Sequence, residues 1–400
     1  MRQSFKINQM VPLTILVISM TLLLLAPYTI YGRPDMIVAA GFISYGLFSC
    51  RGRIPKSLIR DNVILFAVLG ISLYGALISN FFHVTPQIHH PRVIFSLIVV
   101  YWSFWGITRF CDRRILVDIN FEKLLINICL FNSCIILLQF FSSDFRQLVE
   151  SFFVQFNLRY DVGFKYRGIA SAGGAGLSVF QAIAFTMLLF QISEKKITYI
   201  KGIIIGFTIF FATLLIGRTG TVFMILFSII FSFRSWKILF ASTFLVLLTW
   251  TFYEAISEIM FNDFHGTNVL FYSLGFLFQS NGLNEEGTLR VLNEYWFFPN
   301  SPNILWGYGF YGIGKFEPWT DSGYIRSVLS VGLPLASLKY CLLLILFYNR
   351  CGKSVMMFFL LSILLIAEIK EPFLISGFGI RLFLALMIYN HYYKSNSMVN

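Results

Sequence analysis

The sequence predicts an all-α, polytopic integral membrane protein with about twelve transmembrane helices. Of its 400 residues, 57% are hydrophobic and only 12% are charged, whereas a soluble domain carries roughly 25% charged residues. Apolar runs of about twenty residues recur, which is the length of helix that crosses a hydrocarbon layer ~30 Å thick. The alternating pattern of a membrane-spanning strand is absent from these runs. Helices therefore span the membrane, because only helices and closed barrels satisfy their backbone there.

The order of the spans follows from the apolar runs and from the basic residues between them. Spans are predicted at 11–31, 35–50, 62–82, 93–108, 124–141, 170–192, 202–217, 220–233, 238–256, 324–348, 354–369 and 376–392. The Lys and Arg residues behind the net charge of +12 lie in small groups after every second span, as expected for loops on the cytoplasmic side. Both termini are then cytoplasmic, and the charge reflects topology rather than a nucleic-acid partner. Short spans at 35–50 and 220–233 require tilt, bilayer thinning or a partly re-entrant course.

Two long segments face outward in this topology, and both belong to a single transmembrane domain of residues 1–400. The first covers residues 143–169, and the second, between helices 9 and 10, covers residues 254–323. The second is acidic, and residues 283–297 within it have the pattern of a short amphipathic helix that lies on the membrane or over a cavity. Connections of this length are usually functional. We therefore expect the second segment to carry function.

The second outer segment leads into the tenth span with the sequence NILWGYGFYGIGKFEPWTDSGYIR, residues 303–326. Glycines make the first part flexible, and the aromatic rings between them offer flat faces suited to stacking on sugars. We expect Trp306, Tyr308 and Tyr324 to contact a glycan.

Four arginines lie close to the outer membrane surface, where a charge is costly and raises a functional hypothesis. They are Arg167 at the end of the first outer segment, Arg218 in the hairpin IGRTGT, Arg326 at the start of the tenth span and Arg381 about one turn inside the twelfth. A guanidinium holds a phosphate through two hydrogen bonds, so convergent arginines would fit a lipid diphosphate. Alternatively, each arginine snorkels to the interface or pairs with Glu368 or Glu371 as a structural anchor.

Asp321 lies five residues before Arg326 and directly ahead of a predicted helix. As a general base it could take the proton from an attacking hydroxyl while the arginine orients the electrophile. The alternative is that Asp321 or Ser322 caps the helix N-terminus. Both roles can coexist in one residue.

The remaining polar residues of the spans have simpler interpretations. Lys339 follows Pro334 inside the tenth span, where a structural partner is favoured over chemistry. His83, His89 and His90 form an outer cluster without carboxylate support, which favours an incidental group over a metal site. No metal and no cofactor are expected. Acidic residues are absent from the middle of the predicted spans, which weighs against a proton-coupled carrier.

Several short motifs resemble the O-antigen polymerase (Wzy) family, within the O-antigen polymerase/ligase superfamily. They are YRG at 166–168, GRTG at 217–220, and the ordered set WGYGF, DSGYIR and Gly332 followed by a helix. The resemblance covers roughly residues 160–340 and the helix number. The chain departs from the paired RX10G motifs of some polymerases, because Ser178 and Ser301 occupy the eleventh positions after Arg167 and Arg290. Ligases usually have a histidine where Asp321 stands, which favours a polymerase.

The resemblance implies a GT-C-like fold and an inverting, metal-independent glycosyl transfer at the periplasmic face of the bacterial inner membrane. The partners would be undecaprenyl-diphosphate-linked oligosaccharide, membrane lipids and a chain-length regulator. Carried onto this sequence, Arg167, Arg218 and Arg326 contact the diphosphate with Arg381 at the same depth, and Asp321 and Arg218 are catalytic. An O-antigen ligase, a lipid-linked oligosaccharide flippase or other transporter, and a structural partner of chain-length regulators remain alternatives.

Overall fold

The computed structural model describes residues 7–50, 54–82, 88–113, 120–153, 166–233, 304–311, 320–352 and 354–394. Their elements are α1 (Ile7–Leu25), α2 (Pro34–Ser49), α3 (Lys56–Phe82), α4 (His89–Arg113), α5 (Phe121–Phe141), α6 (Ser143–Phe152), α7 (Ala175–Ser193), α8 (Tyr199–Ile216), α9 (Arg218–Ser232), α10 (Gly323–Val331), α11 (Leu333–Cys351), α12 (Val355–Ala367), α13 (Gly377–Tyr389) and a π-helical turn (Asn390–Lys394). The predicted span at 238–256 and the predicted helix at 283–297 lie outside these residues, as does most of the outer segment 254–323.

Five of the described helices, α3, α4, α5, α7 and α8, are long and apolar enough to cross a membrane. Shorter apolar helices are α1, α2, α9 and α12. Large hydrophobic side chains on their surfaces are exposed, among them Phe48 at 83%, Phe66 at 54% and Phe131 at 53%. Such surfaces are unsuited to water and suited to lipid. The all-helical character predicted from the sequence is therefore confirmed for the described residues, and their long apolar helices are consistent with a membrane protein.

The chain divides into two compact units. The first unit comprises residues 1–38 and 118–283, and the second comprises residues 39–117 and 284–400. In the first unit α7 packs against α5, α8 and α9, and in the second α4 packs against α3 and α13 while α11 packs against α3. Each unit is thus assembled from two separate stretches of the chain.

Close helix packing explains the GRTG motif in the first unit. Gly217 alone separates α8 from α9, and the amide of Gly220 donates to Ser178 Oγ on α7 at 3.1 Å. A Cβ atom on Gly220 would lie 2.1 Å from the carbonyl oxygen of Ser178. The second glycine of the motif therefore lets α9 approach the backbone of α7, as small residues do at membrane helix interfaces.

The predicted tenth span at 324–348 is wrong as a single helix, because Gly332 divides it into α10 and α11. Gly332 has φ +80°, a conformation that favours glycine. In a continuous helix the Ser330 carbonyl would bond to the amide of residue 334, but Pro334 has no N–H. Gly309 donates to that carbonyl at 3.0 Å instead, and Tyr308 donates to the Leu329 carbonyl at 2.7 Å. The 304–311 segment thus satisfies the carbonyls that the break exposes.

Two glycines of this segment, Gly307 and Gly309, have backbone conformations and contacts that favour glycine. Gly307 and Gly309 have φ angles of +80° and +71°. A Cβ atom on Gly309 would lie 2.3 Å from the backbone nitrogen of Ser79 on α3. These glycines therefore allow the segment to pass close to α3 and α10.

Candidate functional site

Asp321 and Arg326 meet at the start of α10 in the second unit. Arg326 Nη2 donates to Asp321 Oδ1 at 2.8 Å, and its Nε donates to the Thr320 carbonyl at 2.8 Å. The Arg326 side chain is 13% exposed and that of Asp321 is 28% exposed. The pair is therefore partly desolvated and still open to solvent.

The carboxylate of Asp321 is directed to the arginine and does not cap the helix. The N-cap residue of α10 is Ser322, which makes no side-chain capping hydrogen bond. Ser322 therefore occupies the predicted N-cap position without a side-chain cap, and the capping role considered for Asp321 is wrong. Burial raises the pKa of Asp321 above its ordinary value, and the cations of Arg326 and Lys370 oppose this rise. A carboxyl group with these properties can exchange a proton with a hydroxyl at its exposed edge.

Glu368 anchors the first turn of α10. The Gly323 amide donates to the Glu368 carbonyl at 2.9 Å, which satisfies one of the donors that every helix N-terminus leaves open. A Cβ atom on Gly323 would lie 2.3 Å from Glu368 Oε1. The glycine of the DSGYIR motif therefore allows the helix start to contact the loop that joins α12 to α13.

Beside α10 lies a buried polar cluster of six residues: His90, Tyr311, Ser327, Lys339, Tyr340 and Glu368. Lys339 and Glu368 are both 0% exposed. The Lys339 ammonium donates to Ser327 Oγ, Ser327 Oγ lies 3.0 Å from the Tyr340 hydroxyl, and that hydroxyl donates to Glu368 Oε1 at 2.6 Å. Glu368 Oε2 accepts from the Leu374 amide at 2.6 Å. Two hydroxyl groups thus connect a buried cation to a buried carboxylate.

Aromatic rings surround the ammonium of Lys339. Its Nζ lies 4.4 Å from the ring centroid of Tyr340 and 6.0 Å from that of Tyr311, distances at which a cation is attracted to a ring face. The structural partner expected for Lys339 is present. It is the hydroxyl group of Ser327, together with the rings of Tyr340 and Tyr311.

His90 belongs to the same cluster and is not part of an exposed histidine group. Its Nδ1 lies 2.9 Å from Ser330 Oγ, and its ring stacks on Tyr311 with centroids 4.0 Å apart. Burial raises the pKa of Tyr311 well above its ordinary value. His83 lies outside the described residues. Within the residues that the structure describes, no group of three or more His, Cys, Asp or Glu could hold a metal ion.

The three aromatic residues expected to contact a glycan differ in exposure. Trp306 is 66% exposed, whereas Tyr308 is half-buried against Phe310 and α10. Tyr324 is half-buried, and its hydroxyl donates to the Leu365 carbonyl at 3.0 Å. Trp306 has the free ring face that stacking requires, and glycan contact by all three stays a prediction.

The arginines of the first unit are held in different ways. Arg167 is 3% exposed, and its guanidinium donates to the carbonyl groups of Phe153, Ala170 and Ser171. These contacts hold the guanidinium against backbone carbonyl groups, and contact of Arg167 with a diphosphate stays a prediction. Arg218 is the first residue of α9 and is half-buried.

In the second unit, Arg381 is half-buried on the second turn of α13. Arg326 pairs with Asp321 and not with the Glu368 or Glu371 considered above. Arg167 and Arg218 belong to the first unit, and Arg326 and Arg381 belong to the second. Convergence of all four arginines on one diphosphate therefore stays a prediction.

A second buried charge cluster joins α3, α4, α11 and the π-helical turn. Arg350 Nε donates to both carboxylate oxygens of Asp61 at 2.9 and 2.8 Å, and Tyr101 donates to Asp61 at 2.5 Å. Tyr392 also donates to Asp61, at 3.0 Å. Asp61 lies within α3, which begins at Lys56 and not near residue 62. Asp61 lies near the start of α3 and not in its middle, so it leaves open the expectation that the middle of the spans lacks acidic residues.

No sequence pattern marks His90, Tyr340 or Glu368 as residues of a site. A signal existed in the isolated Lys339 of an apolar run, because a buried ammonium requires acceptors or a carboxylate nearby. Choosing Glu368 as that carboxylate required the folded structure, since 29 positions separate it from the lysine.

Comparison of the chain with protein-family models, with curated proteins and with solved structures gives no match. The functional interpretation therefore depends on residue pattern and on the geometry around α10. That geometry provides a partly exposed carboxylate and an adjacent, largely buried guanidinium. Together these groups can accept a proton from a hydroxyl and stabilise a developing negative charge.

Proposed function

We propose that this chain is an inverting, metal-independent glycosyltransferase of the O-antigen polymerase type. It would join lipid-linked oligosaccharide repeat units into a polysaccharide. The observation that carries the proposal is the Asp321–Arg326 pair, joined at 2.8 Å at the start of α10 in a membrane-embedded unit. The motif resemblance supplies the substrate class. Under this proposal the fold is GT-C-like with twelve spans, and the site faces the periplasm from the inner membrane.

The proposed reaction uses Asp321 on the acceptor side. The non-reducing hydroxyl of one lipid-linked repeat attacks the anomeric carbon of the growing glycan, and its proton passes to the Asp321 carboxylate. A carbon–oxygen bond forms as the bond from the anomeric carbon to undecaprenyl diphosphate breaks. The diphosphate leaves with the electron pair. Burial that raises the pKa of Asp321 strengthens it as a base.

Arg326 would bind the leaving diphosphate as well as hold the base, Asp321. Its Nε and Nη2 each make a hydrogen bond, to Thr320 and Asp321, while its Nη1 group makes none to the described residues. A guanidinium has five N–H donors, so donors remain for a phosphate oxygen. Arg167, Arg218 and Arg381 are proposed to complete the diphosphate site, and Trp306, Tyr308 and Tyr324 to contact the glycan.

The experiment is deletion of the gene in its host, with complementation by the chain and its variants. A polymerase predicts single repeats capped onto lipid A core and no long ladder, with the ladder restored by the wild type. Loss of all repeats would indicate a ligase or a flippase and would overturn the proposal.

Site variants in the same strain test the assigned roles. Asp321→Asn removes the base without changing shape, and Arg218→Lys keeps the charge but removes the bidentate fork. Both are expected to abolish the ladder, whereas Lys201→Arg on the exposed face of α8 should retain it. A full ladder in Arg218→Lys would refute the bidentate assignment, and a full ladder in Asp321→Asn would refute the base.

A transporter of lipid-linked oligosaccharide remains the second candidate, because the second unit buries charges inside its helices. Lys339 and Arg350 on α11 and Asp61 on α3 are each at most 5% exposed, and such residues often line transport pathways. Trimming residues 283–315 separates the candidates. A glycosyltransferase should lose its activity, whereas a transporter should tolerate the change better.

A further inference from the structure

Helix α6 lies within the first outer segment and is amphipathic. Its ten residues, SDFRQLVESF, place Phe145, Leu148, Val149 and Phe152 on one side. At 3.6 residues per turn these four residues fall within an arc of about 100°. All other residues of the helix are polar or charged. A helix of this kind requires an apolar partner for one face.

The length and position of α6 exclude a membrane crossing and place it at the membrane boundary. Ten residues extend about 15 Å, half of the ~30 Å hydrocarbon layer. The helix begins directly after α5, because the Ser142 amide donates to the Leu138 carbonyl at 3.0 Å and Ser142 Oγ accepts from the Phe145 amide at 3.2 Å. One residue therefore ends α5 and caps α6. The helix starts at the depth where α5 leaves the membrane.

Protein covers only part of the apolar face. Val149 is 9% exposed, but Leu148 is 55% and Phe152 is 54% exposed. The uncovered part continues onto α5, where Leu138 is 51% and Phe141 is 64% exposed. Exposed apolar residues on a membrane-crossing helix contact lipid. The exposed apolar surface of α6 thus continues the exposed apolar surface of α5.

The turn between α1 and α2 extends the same patch. The Ile30 amide donates to the Phe152 carbonyl at 3.3 Å, which joins the turn to the end of α6. Ile30 is 55% and Tyr31 is 92% exposed. Tyrosine is enriched where the bilayer meets water. Helix α6 and the turn between α1 and α2 are therefore joined, and both expose apolar side chains.

We infer that the uncovered face of α6, together with Ile30 and Tyr31, inserts into the lipid monolayer as an interfacial platform. The occupant is lipid and not a second protein, because the face is continuous with the lipid-facing side of α5. Apolar burial drives the insertion. Charge does not, since Asp144 and Glu150 outnumber Arg146, which is already paired with Glu150 at 3.0 Å. Binding should therefore not require anionic lipid.

The platform also positions the segment that contains Arg167. The Arg167 guanidinium donates to the carbonyl of Phe153, the residue that ends α6. A platform at the interface therefore holds residues 166–171 at headgroup depth. If the proposed function is correct, which this last step requires, the platform sets the height of the YRG motif relative to the lipid diphosphate.

The test measures the depth of α6 in the full-length protein. Single cysteines at Leu148 or Phe152 are labelled with an environment-sensitive fluorophore, and Gln147→Cys and Ser151→Cys on the polar face are the matched controls. Background variants carry Cys134→Ser and Cys341→Ser, because these native thiols are exposed. Each protein is reconstituted into phosphatidylcholine vesicles. Quenching by brominated acyl chains is then compared with quenching by aqueous iodide.

Labels at 148 and 152 should lose emission with brominated lipid and resist iodide, and the two controls should show the reverse. Quenching of all four labels by iodide would overturn the inference, because the face would then be in water. Resistance of labels 148 and 152 to both quenchers would also overturn it, since protein would then cover the face. The four sites are exposed, so cysteine there leaves the core intact, and monodisperse elution checks folding. None of these outcomes depends on glycosyl transfer.

Discussion

Replacing Lys339 by methionine should lower the free energy of unfolding of this protein, by an amount that follows from the contacts that the lysine makes. The substitution removes the hydrogen bond to Ser327 Oγ and the ring contacts at 4.4 and 6.0 Å. It also removes the cation whose charge acts on Glu368 across the cluster. Methionine refills most of the volume that the lysine stem occupied.

The magnitude follows from these contacts. A hydrogen bond to a charged group contributes about 1.5–3 kcal/mol, and a desolvated cation–π contact about 2 kcal/mol. After the restored apolar packing is subtracted, Lys339→Met should cost about 3 kcal/mol. Glu368→Gln should cost about 2 kcal/mol, because one of its two buried acceptors becomes an NH₂ group and leaves the Leu374 amide without an acceptor.

The double variant distinguishes a coupled pair from two independent residues. Each single variant leaves one buried charge without its partner, and the double variant leaves none. The double variant should therefore be less destabilised than the sum of the singles, by at least about 1 kcal/mol. The assay is equilibrium unfolding in mixed detergent micelles, read as the free energy of unfolding. Lys201→Met on the exposed side of α8 is the control and should change it by less than about 0.5 kcal/mol.

Additive losses within about 0.5 kcal/mol would refute the reasoning, because they would show that Lys339 and Glu368 do not interact. A Lys339→Met variant as stable as the wild type would refute it more directly. The buried ammonium would then contribute nothing to the position of α10.

Three further changes test other parts of the second unit. Gly332→Ala should lower the free energy of unfolding more than Gly352→Ala does. Both glycines have positive φ, but only at Gly332 would a Cβ atom meet a carbonyl oxygen, at 2.2 Å. Equal losses would contradict the close packing of residues 304–311 against Gly332. Asp61→Asn should cost about 3–5 kcal/mol, since it leaves a buried guanidinium uncompensated, whereas Glu150→Gln in a solvent-exposed pair should be nearly neutral. Because the pKa of Asp321 is raised above its ordinary 3.8, the acid limb of the wild-type glycosyl-transfer rate, measured against pH, should lie above that pH. The folded state binds this proton more tightly than the unfolded chain, so the contribution of Asp321 to stability should fall as pH rises through the same window.

Much of the helical framework could be predicted from hydrophobicity. The span predicted at 124–141 is observed as α5 (Phe121–Phe141), and the one at 202–217 as α8 (Tyr199–Ile216). An apolar run in a membrane must satisfy its own backbone, and a helix does so with local hydrogen bonds. Local sequence therefore suffices for such elements.

The break at Gly332 and helix α6 were beyond this reasoning. The break depends on the amides of Tyr308 and Gly309, which arrive from another part of the chain to satisfy the carbonyls of α10. Helix α6 is too short for a hydropathy signal, and its polar residues resemble a loop. In both cases the structure is stabilised by contacts that a local pattern does not contain.

Of the candidate site, only the pair of Asp321 and Arg326 follows from sequence spacing, because five residues bring the two side chains together at one helix start. The Asp61–Arg350 pair joins residues 289 positions apart, so no local pattern could identify it.

Hydrophobicity and residue spacing alone indicate a helical membrane protein, the positions of most of its described helices, and the proximity of Asp321 to Arg326. Which charges are buried together, where α10 ends and which backbone groups hold it depend on contacts made by folding. Helix formation and lipid exposure depend on adjacent residues, whereas compensation of a buried charge requires a partner that only folding brings within hydrogen-bond distance.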